Sequence, residues 1–527
     1  MTSHPVAPDV FHVFDTTLRD GAQQEGLRLT VSDKLRIARH LDELGVGFIE
    51  GGWPGANPND TAFFAAAADG ELTLKNAQLV AFGFTRRVGT TAAEDPSVQA
   101  LIDARTPVVC IVAKSHEGHV RRALNTTLEE NLEMIRDTVA HLVAHGKRVF
   151  VDCEHFFDGY LTNPQYALDC IKVAADAGAE VAVLCDTNGG MLPSWIGDIV
   201  SAASQIGVDL GVHCHNDTGC AVANTLAAVD AGVMHIQGTI NGHGERTGNA
   251  NLITLIANLQ LKYGWSLVPE SSLRDATRIS HAIAGITDVT PNSRQPYVGQ
   301  SAFAHKAGLH ASAIKVDANL YQHIDPTLVG NDMRMLVSDM AGRANIQIKG
   351  SELGYDLSDR ELAARITDVV KQREMDGYSY ESADASFELL LKEQMGHLEE
   401  FFEVLSWRVI TGHEVKPEGD SEATVKLRAK GQTYLLVGEG HGPLNALDMA
   451  LRSALKQAYP HVDDFELVDY RVRILDQGHG TDAIVRTLID TTDGERTWTT
   501  VGVGTNVIEA SWEALYDAYR WGVMKRD

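Results

Sequence analysis

The segment Gly211-Val-His-Cys-His-Asn-Asp217 passes from apolar residues into a polar run. In an extended strand, residues i and i+2 project to the same face, so His213 and His215 can hold one divalent metal ion while Cys214 points away. Because the chain has 21 histidines in 527 residues, a His-x-His pair can also arise by chance. The pair therefore needs support from other segments.

Seven further segments share this design, in which a short apolar or β-branched run is followed by a helical pattern. Several helical patterns, such as 32–44, end before a glycine. Eight βα units in about 250 residues predict a (β/α)8 TIM barrel, although periodicity alone also allows an open doubly wound sheet. The eight runs are 11–18, 48–52, 79–84, 108–113, 148–156, 181–186, 210–215 and 235–240.

Polar residues lie at the carboxyl ends of five of these runs, which is where barrel enzymes keep their active sites. This distribution favours the barrel over the open sheet. The polar positions are 15–20, 152 and 154, 186–188, 213–217 and 241–246.

The composition, with 44% hydrophobic and 22% charged residues, is typical of a globular protein with a sizeable core. The net charge of −26 argues against binding to nucleic acid or anionic membranes and favours small ligands. We find no signal peptide pattern and no stretch that resembles a membrane span. We therefore expect a cytoplasmic protein whose six cysteines are reduced.

The pattern changes twice after the barrel. We expect a catalytic barrel over 1–285, a mainly helical linker region over 286–400, and a C-terminal α+β domain over 401–527. The last domain shows two βββα units, which predict a regulatory or dimerisation module. Their expected strands are 402–411, 423–429, 432–438, 465–475, 483–491 and 497–504, and their expected helices are 442–451 and 506–521.

The end of the first run, Asp15-Thr-Thr-Leu-Arg-Asp-Gly21, offers the carboxylate that a two-histidine metal site needs. Asp20 can bind the metal while Arg19 stabilises negative charge that develops on a substrate oxygen. Gln23 can add a hydrogen bond. The alternative is an Asp–Arg pair that only ties a loop together.

Three motifs occur in the order found in one enzyme family: the Asp15–Gly21 segment, His213-Cys-His215, and Asn241-Gly-His-Gly-Glu-Arg-Thr-Gly-Asn249. The chain resembles the barrel metallolyases that include the 2-isopropylmalate, homocitrate and citramalate synthases. The resemblance extends through Ala307-Gly-Leu-His310 and the C-terminal repeat. It implies a divalent metal ion, acetyl-CoA and a 2-oxo acid as substrates, and a homodimer.

The resemblance implies that Asp20, His213 and His215 are metal ligands and that Asn249 is a fourth, weaker one. The metal would chelate the keto and carboxylate oxygens of the 2-oxo acid. Mg, Mn and Zn are all candidates, since two imidazoles and one carboxylate do not select one metal.

The resemblance also implies roles beside the metal. Arg19 would stabilise the alkoxide, and Thr187 would bind the substrate carboxylate with Gln23 nearby. Glu154 would help to position or protonate the reacting substrate. Two alternatives stay open: Glu154 could be a buried acid paired with Arg19, and Thr187 could merely cap the following turn.

His310 matches the base that removes a proton from the acetyl methyl group, a task suited to a neutral imidazole. His305 is the alternative base. Tyr321 matches a tyrosine that assists the base, and the segment that carries Tyr321 could reach the site from a partner subunit.

Within the family, Asp152-Cys-Glu-His-Phe-Phe-Asp-Gly-Tyr160 and Gly189-Gly-Met-Leu-Pro193 resemble the citramalate synthases most. This resemblance implies condensation of acetyl-CoA with pyruvate to (R)-citramalate and CoA, in isoleucine biosynthesis. The alternatives are a 2-isopropylmalate synthase that uses 2-oxoisovalerate, in leucine biosynthesis, and a metal-dependent aldolase or lyase. Family lyases lack the C-terminal repeat, which could bind an amino-acid feedback inhibitor.

Two positions depart from the family pattern. Ala22 stands where an acidic residue is common, and Asp152 adds a second carboxylate on the strand face of Glu154. Asp152 could face the variable part of the oxo acid, or bind a cation or a polar substrate.

Overall fold

The computed structural model describes residues 8, 10–314, 316–337, 342–412, 421–475 and 483–526. The chain forms two compact units, one of Met1–Phe303 with Ile324–Asp332 and one of Ala304–His323 with Met333–Asp527. Within the described residues, no helix combines the length and apolarity needed to cross a membrane.

The first unit contains a closed barrel of eight parallel strands, each paired with the next and the last paired with the first. The closed barrel confirms the predicted fold and excludes the open sheet. The strands are β1 (His12–Asp15), β2 (Phe48–Glu50), β3 (Gln78–Phe84), β4 (Val108–Lys114), β5 (Arg148–Glu154), β6 (Val181–Asp186), β7 (Asp209–Cys214) and β8 (His235–Gly238).

Helices alternate with these strands and pack against them. The first begins at a capping box, in which the Thr30 side chain accepts from the Asp33 backbone N–H and the Asp33 carboxylate accepts from that of Thr30. It ends at Gly45, whose φ of 91° suits glycine. The helices are α1 (Val31–Leu44), α2 (Pro58–Ala68), α3 (Pro96–Asp103), α4 (Glu117–Arg122), α5 (Leu128–Ala144), α6 (Phe156–Thr162), α7 (Pro164–Asp176), α8 (Pro193–Ser204), α9 (Ala221–Asp230), α10 (Leu252–Leu261), α11 (Glu270–Leu273) and α12 (Ala276–Thr287).

The first strand ends three residues before the end of the predicted run 11–18. The Asp15 carboxylate accepts hydrogen bonds from the N–H and the hydroxyl of Thr17, both at 2.8 Å, and this local bonding competes with strand pairing. Leu18 is buried outside the strand, so its apolar character lengthened the predicted run. The loop that results carries Arg19 and Asp20.

The barrel interior combines an apolar layer with buried polar side chains. Phe14, Phe48 and Phe150 form part of one buried cluster, with ring centroids of Phe48 and Phe150 5.2 Å apart. The polar side chains of His235 and Gln237 on β8 are fully buried in the same interior.

The second unit begins with helices around a small apolar core that includes Ile346, Ile366 and Phe387. A two-stranded parallel sheet joins Ala304–His305 to Arg334–Met335. The elements are β9 (Ala304–His305), α13 (Gly308–Ile314), β10 (Arg334–Met335), α14 (Arg343–Glu352), α15 (Arg360–Met375) and α16 (Asp384–Met395).

Two βββα units follow, as predicted, and each has an antiparallel sheet in chain order. Strands of both sheets expose apolar side chains, among them Leu435, Val437, Val468, Val472 and Ile474. The elements are β11 (Phe402–Thr411), β12 (Ser421–Ala429), β13 (Gln432–Gly440), α17 (Pro443–Leu455), β14 (Glu466–Ile474), β15 (Val485–Thr492), β16 (Thr497–Gly504) and α18 (Val507–Met524).

Candidate active site

Three potential metal ligands meet at the carboxyl-terminal end of the barrel. Asp20 Oδ2 lies 3.1 Å from His213 Nε2 and 3.4 Å from His215 Nε2, and the two imidazole nitrogens are 3.2 Å apart. Ligand atoms about 2.0–2.2 Å from one zinc-sized ion lie about 3 to 3.5 Å from each other. The spacing of the three atoms therefore fits one divalent metal ion.

Buried polar atoms around this point also fit a cation. Among the described residues, Asp20 Oδ2, His215 Nδ1 and Asn249 Oδ1 have no hydrogen-bond partner. Asn249 forms a β-bridge with His215, and its amide nitrogen donates to the His243 carbonyl at 3.1 Å, which leaves the amide oxygen available as a ligand. An unsatisfied buried polar group costs about 1–3 kcal/mol, which a bound cation would offset for the two oxygens.

The charges at this site favour an ionised Asp20. Burial by itself would raise its pKa, but the Arg19 charge and the two adjacent imidazoles hold the pKa well below its usual value. Burial would lower the pKa of His213, but Asp20 outweighs burial and raises it. A metal ion must therefore compete with a proton for His213 Nε2.

The Arg19 guanidinium is held beside the metal ligands. Its Nε lies 2.6 Å from a Glu50 oxygen, Nη1 lies 3.3 Å from Asp20, and Nη2 lies 3.9 Å from Asp152. The Phe82 ring packs against the guanidinium, with 3.9 Å from Cζ to the ring centroid. A fixed guanidinium at this position can stabilise charge on an oxygen of a metal-bound substrate.

Glu50, Cys110 and Asp152 form a second buried group of ligand-type atoms, all within 4.8 Å of one another. Arg19 supplies the positive charge beside this group, so the group serves to hold the arginine. Burial raises the pKa of both carboxyl groups, and Arg19 opposes this rise. Glu50 was not among the predicted site residues because it lies inside the apolar run 48–52. The charge of Asp152 has a partner in Arg19.

Glu154 and Thr187 have partners that differ from the alternatives considered for them. Glu154 forms its ion pair with Lys114. The Thr187 hydroxyl oxygen accepts a hydrogen bond from the His155 backbone N–H at 2.9 Å. Since that bond uses an oxygen lone pair, the hydroxyl hydrogen of Thr187 remains available to a ligand.

The loops after β6, β7 and β8 are joined by Arg246. Its guanidinium donates to both carboxylate oxygens of Asp217, at 2.8 and 2.9 Å, and to the Thr187 carbonyl at 2.9 Å. The arginine therefore shapes the eighth loop and supports the backbone of Thr187.

A cavity of about 850 Å³ opens onto these side chains. Its size lies in the range of small-molecule sites, and the rings of Trp53, Phe82 and Phe84 form an aromatic part of its wall. The predicted site residues that line it are Arg19, Asp20, Gln23, Asp152, Glu154, Thr187, His213 and His215.

His310 and Tyr321 lie in the second unit. Their rings are stacked, with centroids 4.1 Å apart and an interplanar angle of 27°. The His305 ring lies 6.1 Å from that of His310, and burial, followed by the charge of His310, lowers the pKa of His305. The predicted base and its assisting tyrosine are thus neighbours.

Lys34 on α1 supports the loop that carries Arg19 and Asp20. Its ammonium group donates to the carbonyls of Leu18 and Gly51, at 2.8 and 2.9 Å, and to the Asp60 carboxylate. Both charged side chains are buried, so the pair is shielded from water. The helical pattern of α1 gave no sign of this contact.

We predict that Lys34→Met lowers the free energy of unfolding by about 3–5 kcal/mol, because the substitution leaves Asp60 as a buried, unpaired carboxylate. Urea unfolding of the variant measures this loss. Lys172→Met is the matched control, since Lys172 pairs with Asp176 on the surface and should cost at most about 0.5 kcal/mol. Equal losses for the two variants would contradict a supporting role of the buried pair.

Comparisons with known proteins agree with this architecture. The HMGL-like family matches residues 10–283, the homocitrate synthase post-HMGL domain-like family matches 297–376, and the LeuA allosteric (dimerisation) domain matches 381–521. The first match covers the barrel and its site.

Full-length relatives give a finer comparison. The chain is 62% identical to the (R)-citramalate synthase of Streptomyces coelicolor, over 100% of this chain and 99% of that protein. It is 48% identical to the (R)-citramalate synthase of Aquifex aeolicus, over 98% of each. It is 32% identical to a probable 2-isopropylmalate synthase of Methanopyrus kandleri, over 96% of this chain and 97% of that one. The chain therefore belongs to the (R)-citramalate synthase family, within the HMGL-like enzymes.

Proposed function

We propose that the chain condenses acetyl-CoA with pyruvate and, after hydrolysis of the thioester, releases (R)-citramalate and CoA, a reaction that would serve isoleucine biosynthesis. The observation that carries this proposal is the buried group of Asp20, His213 and His215 with the Arg19 guanidinium beside it. Such a site can bind the adjacent keto and carboxylate oxygens of a 2-oxo acid. The identity with (R)-citramalate synthases favours pyruvate as the acid.

A divalent metal, Mg, Mn or Zn, held by Asp20, His213, His215 and Asn249 would supply Lewis acidity at the substrate carbonyl. Arg19 then stabilises the keto oxygen as it becomes an alkoxide. The free hydroxyl hydrogen of Thr187 is available to the substrate carboxylate.

The chemical steps need a base and a proton donor. His310 takes a proton from the acetyl methyl group, and the electron pair left on that carbon forms the new bond to the keto carbon. The alkoxide then gains a proton, which we propose comes from the Glu154–Lys114 ion pair, with the Lys114 ammonium as the source and Glu154 positioned to pass the proton on. Water attacks the thioester, the C–S bond breaks, and CoA leaves as a thiol. Tyr321 holds the His310 ring by stacking, and His305 is the alternative base.

The test is CoA release, followed with a thiol reagent, from acetyl-CoA, a divalent metal and a panel of 2-oxo acids. We expect kcat/KM for pyruvate to exceed that for 2-oxoisovalerate by about 10²-fold or more, since each extra carbon is worth about 1–3 kcal/mol in a fitted pocket. A preference for 2-oxoisovalerate would assign the chain to the leucine branch. Release with none of the acids would refute condensation.

The second unit supports two further parts of the proposal. The exposed apolar side chains Leu435, Val437, Val468, Val472 and Ile474 suit a homodimer interface, consistent with the matching dimerisation domain. Sedimentation of the full chain tests this; a monomer at micromolar concentration would contradict it.

We also propose that an amino-acid end product binds the C-terminal domain. A cavity of about 610 Å³ between the two βββα units has Leu444, Leu467 and Ile508 beside Tyr470 and Asp448. Isoleucine or leucine should inhibit the full chain, and Leu444→Trp, which reduces the cavity, should relieve the inhibition without changing the uninhibited rate. Unchanged inhibition in that variant would exclude this cavity.

A further inference from the structure

A buried glutamine connects the metal ligands to the interior of the barrel. Gln237 lies on β8 opposite His213 on β7, and the side chain has no solvent exposure. Its Oε1 is 2.8 Å from His213 Nδ1. Its Nε2 is 3.0 Å from Asp152 Oδ1 and 3.3 Å from His235 Nε2.

The partners of Gln237 determine which way its amide faces. The amide NH₂ donates to Asp152 Oδ1, and the Arg19 guanidinium beside this carboxyl group favours its ionised form, which can only accept. Burial lowers the pKa of His235 well below its usual value, so this imidazole is neutral and its Nε2 can accept the second amide hydrogen. With both hydrogens used, the amide oxygen faces His213.

The orientation of the amide in turn determines the proton position on His213. An amide oxygen can only accept, so His213 must carry a hydrogen on Nδ1. The neutral imidazole then has its lone pair on Nε2, the atom that lies 3.1 Å from Asp20. The reverse tautomer would place a hydrogen where the metal binds.

We propose that Gln237, oriented by Asp152 and His235, is a positioning residue that keeps the proton of His213 on Nδ1 and thereby presents Nε2 to the metal. The inference rests on the metal site in the proposed function. It also gives Asp152 a role beyond its contact with Arg19: this carboxylate helps to set the direction of the amide. Partners of this kind typically change metal affinity by about 10–100-fold.

The experiment measures Mn²⁺ affinity of the full chain without substrates, from the electron paramagnetic resonance of free Mn²⁺. Gln237→Met keeps a similar side-chain length but removes both hydrogen-bonding functions, and we expect it to weaken binding by about 10–100-fold. Gln260→Met is the matched control. Gln260 makes two hydrogen bonds to the Val268 backbone, so its loss should affect stability and leave Mn²⁺ affinity within about twofold.

A double variant separates orientation from folding. In Asp152→Asn with Gln237→Glu, the new carboxylate accepts from His213 and from the new amide, so the direction of the bond from His213 is kept, and neutral His235 can donate to the carboxylate from Nε2. We expect the dissociation constant of this variant for Mn²⁺ to lie within about threefold of that of the parent. Its Co²⁺ absorption spectrum should match that of the parent.

His215→Ala distinguishes the two levels of the proposal. If His215→Ala abolishes Mn²⁺ binding but Gln237→Met leaves it within about twofold of the parent, the positioning role is overturned and the metal site stands. The positioning role is also overturned if Mn²⁺ affinity is lost both in Gln237→Met and in the double variant while the double variant remains folded. If His215→Ala leaves binding unchanged, the proposed metal site is itself wrong.

Discussion

Arg19→Ala is expected to lower kcat for condensation by about 10²–10³-fold, the usual cost of removing one donor to a developing oxyanion. The guanidinium lies 3.3 Å from the metal ligand Asp20 and is only 12% exposed, so water does not easily replace it. The affinity for the metal ion should not fall, because the substitution removes a positive charge next to the cation. Stopped-time assays of CoA release at saturating pyruvate measure kcat.

Arg19→Lys should recover little of this loss. The arginine uses Nε for Glu50 while its Nη atoms face Asp20 and Asp152, and a single ammonium group cannot serve these directions together. A lysine variant that keeps more than a tenth of the parental kcat would contradict the assignment.

Arg19→Ala also leaves Glu50 as a buried carboxylate without its ion-pair partner, and this destabilises the barrel. Arg19→Ala combined with Glu50→Gln removes that charge. The double variant should regain thermal stability while its kcat stays low. Arg36→Ala is the control, since Arg36 is exposed on α1 and should change kcat by less than about twofold.

Local patterns were sufficient to predict the barrel because each strand and helix of this fold carries its own signal. The predicted run 181–186 coincides with β6, and the predicted helix 32–44 matches α1 to within one residue. Both elements are bounded by polar or glycine-containing segments that end the apolar pattern. Strand ends were less predictable, because the Asp15 side chain ends β1 through bonds to Thr17 that no periodicity records.

The residues of the site also fall into two groups, those that the sequence revealed and those that it did not. His213 and His215 could be found because strand periodicity places them on one face, and Asp20 because it follows a strand end. Glu50 and Gln237 could not, since each lies inside a short buried strand that otherwise gives only a core signal. Their partners are Arg19, in the loop after β1, and His213, on β7, and only the closed register of the barrel brings them together. Lys34 resembled a solvent-exposed helical residue for the same reason.

Removal of the metal is expected to abolish condensation, and His215→Ala should lower kcat/KM by about 10³-fold or more at a metal concentration that saturates the parent. The reason is that Lewis-acid polarisation of a carbonyl is worth several kcal/mol, and each 1.36 kcal/mol is about a factor of ten in rate. The histidine contributes one of three atoms that lie within 3.4 Å of each other, so its loss leaves an incomplete set of ligands.

The measurement has two arms. Treatment of the parent with a chelator should eliminate CoA release, and addition of Mn²⁺, Mg²⁺ or Zn²⁺ should restore it, with the relative rates identifying the preferred metal. The same additions should not rescue His215→Ala at those concentrations. His145→Ala is the control because His145 is an exposed histidine at the end of α5 and should retain full activity. Since Arg19, Thr187 and the cavity remain intact in His215→Ala, pyruvate recognition by those groups alone predicts a small loss. A loss below about tenfold would therefore show that the metal is not what activates the carbonyl.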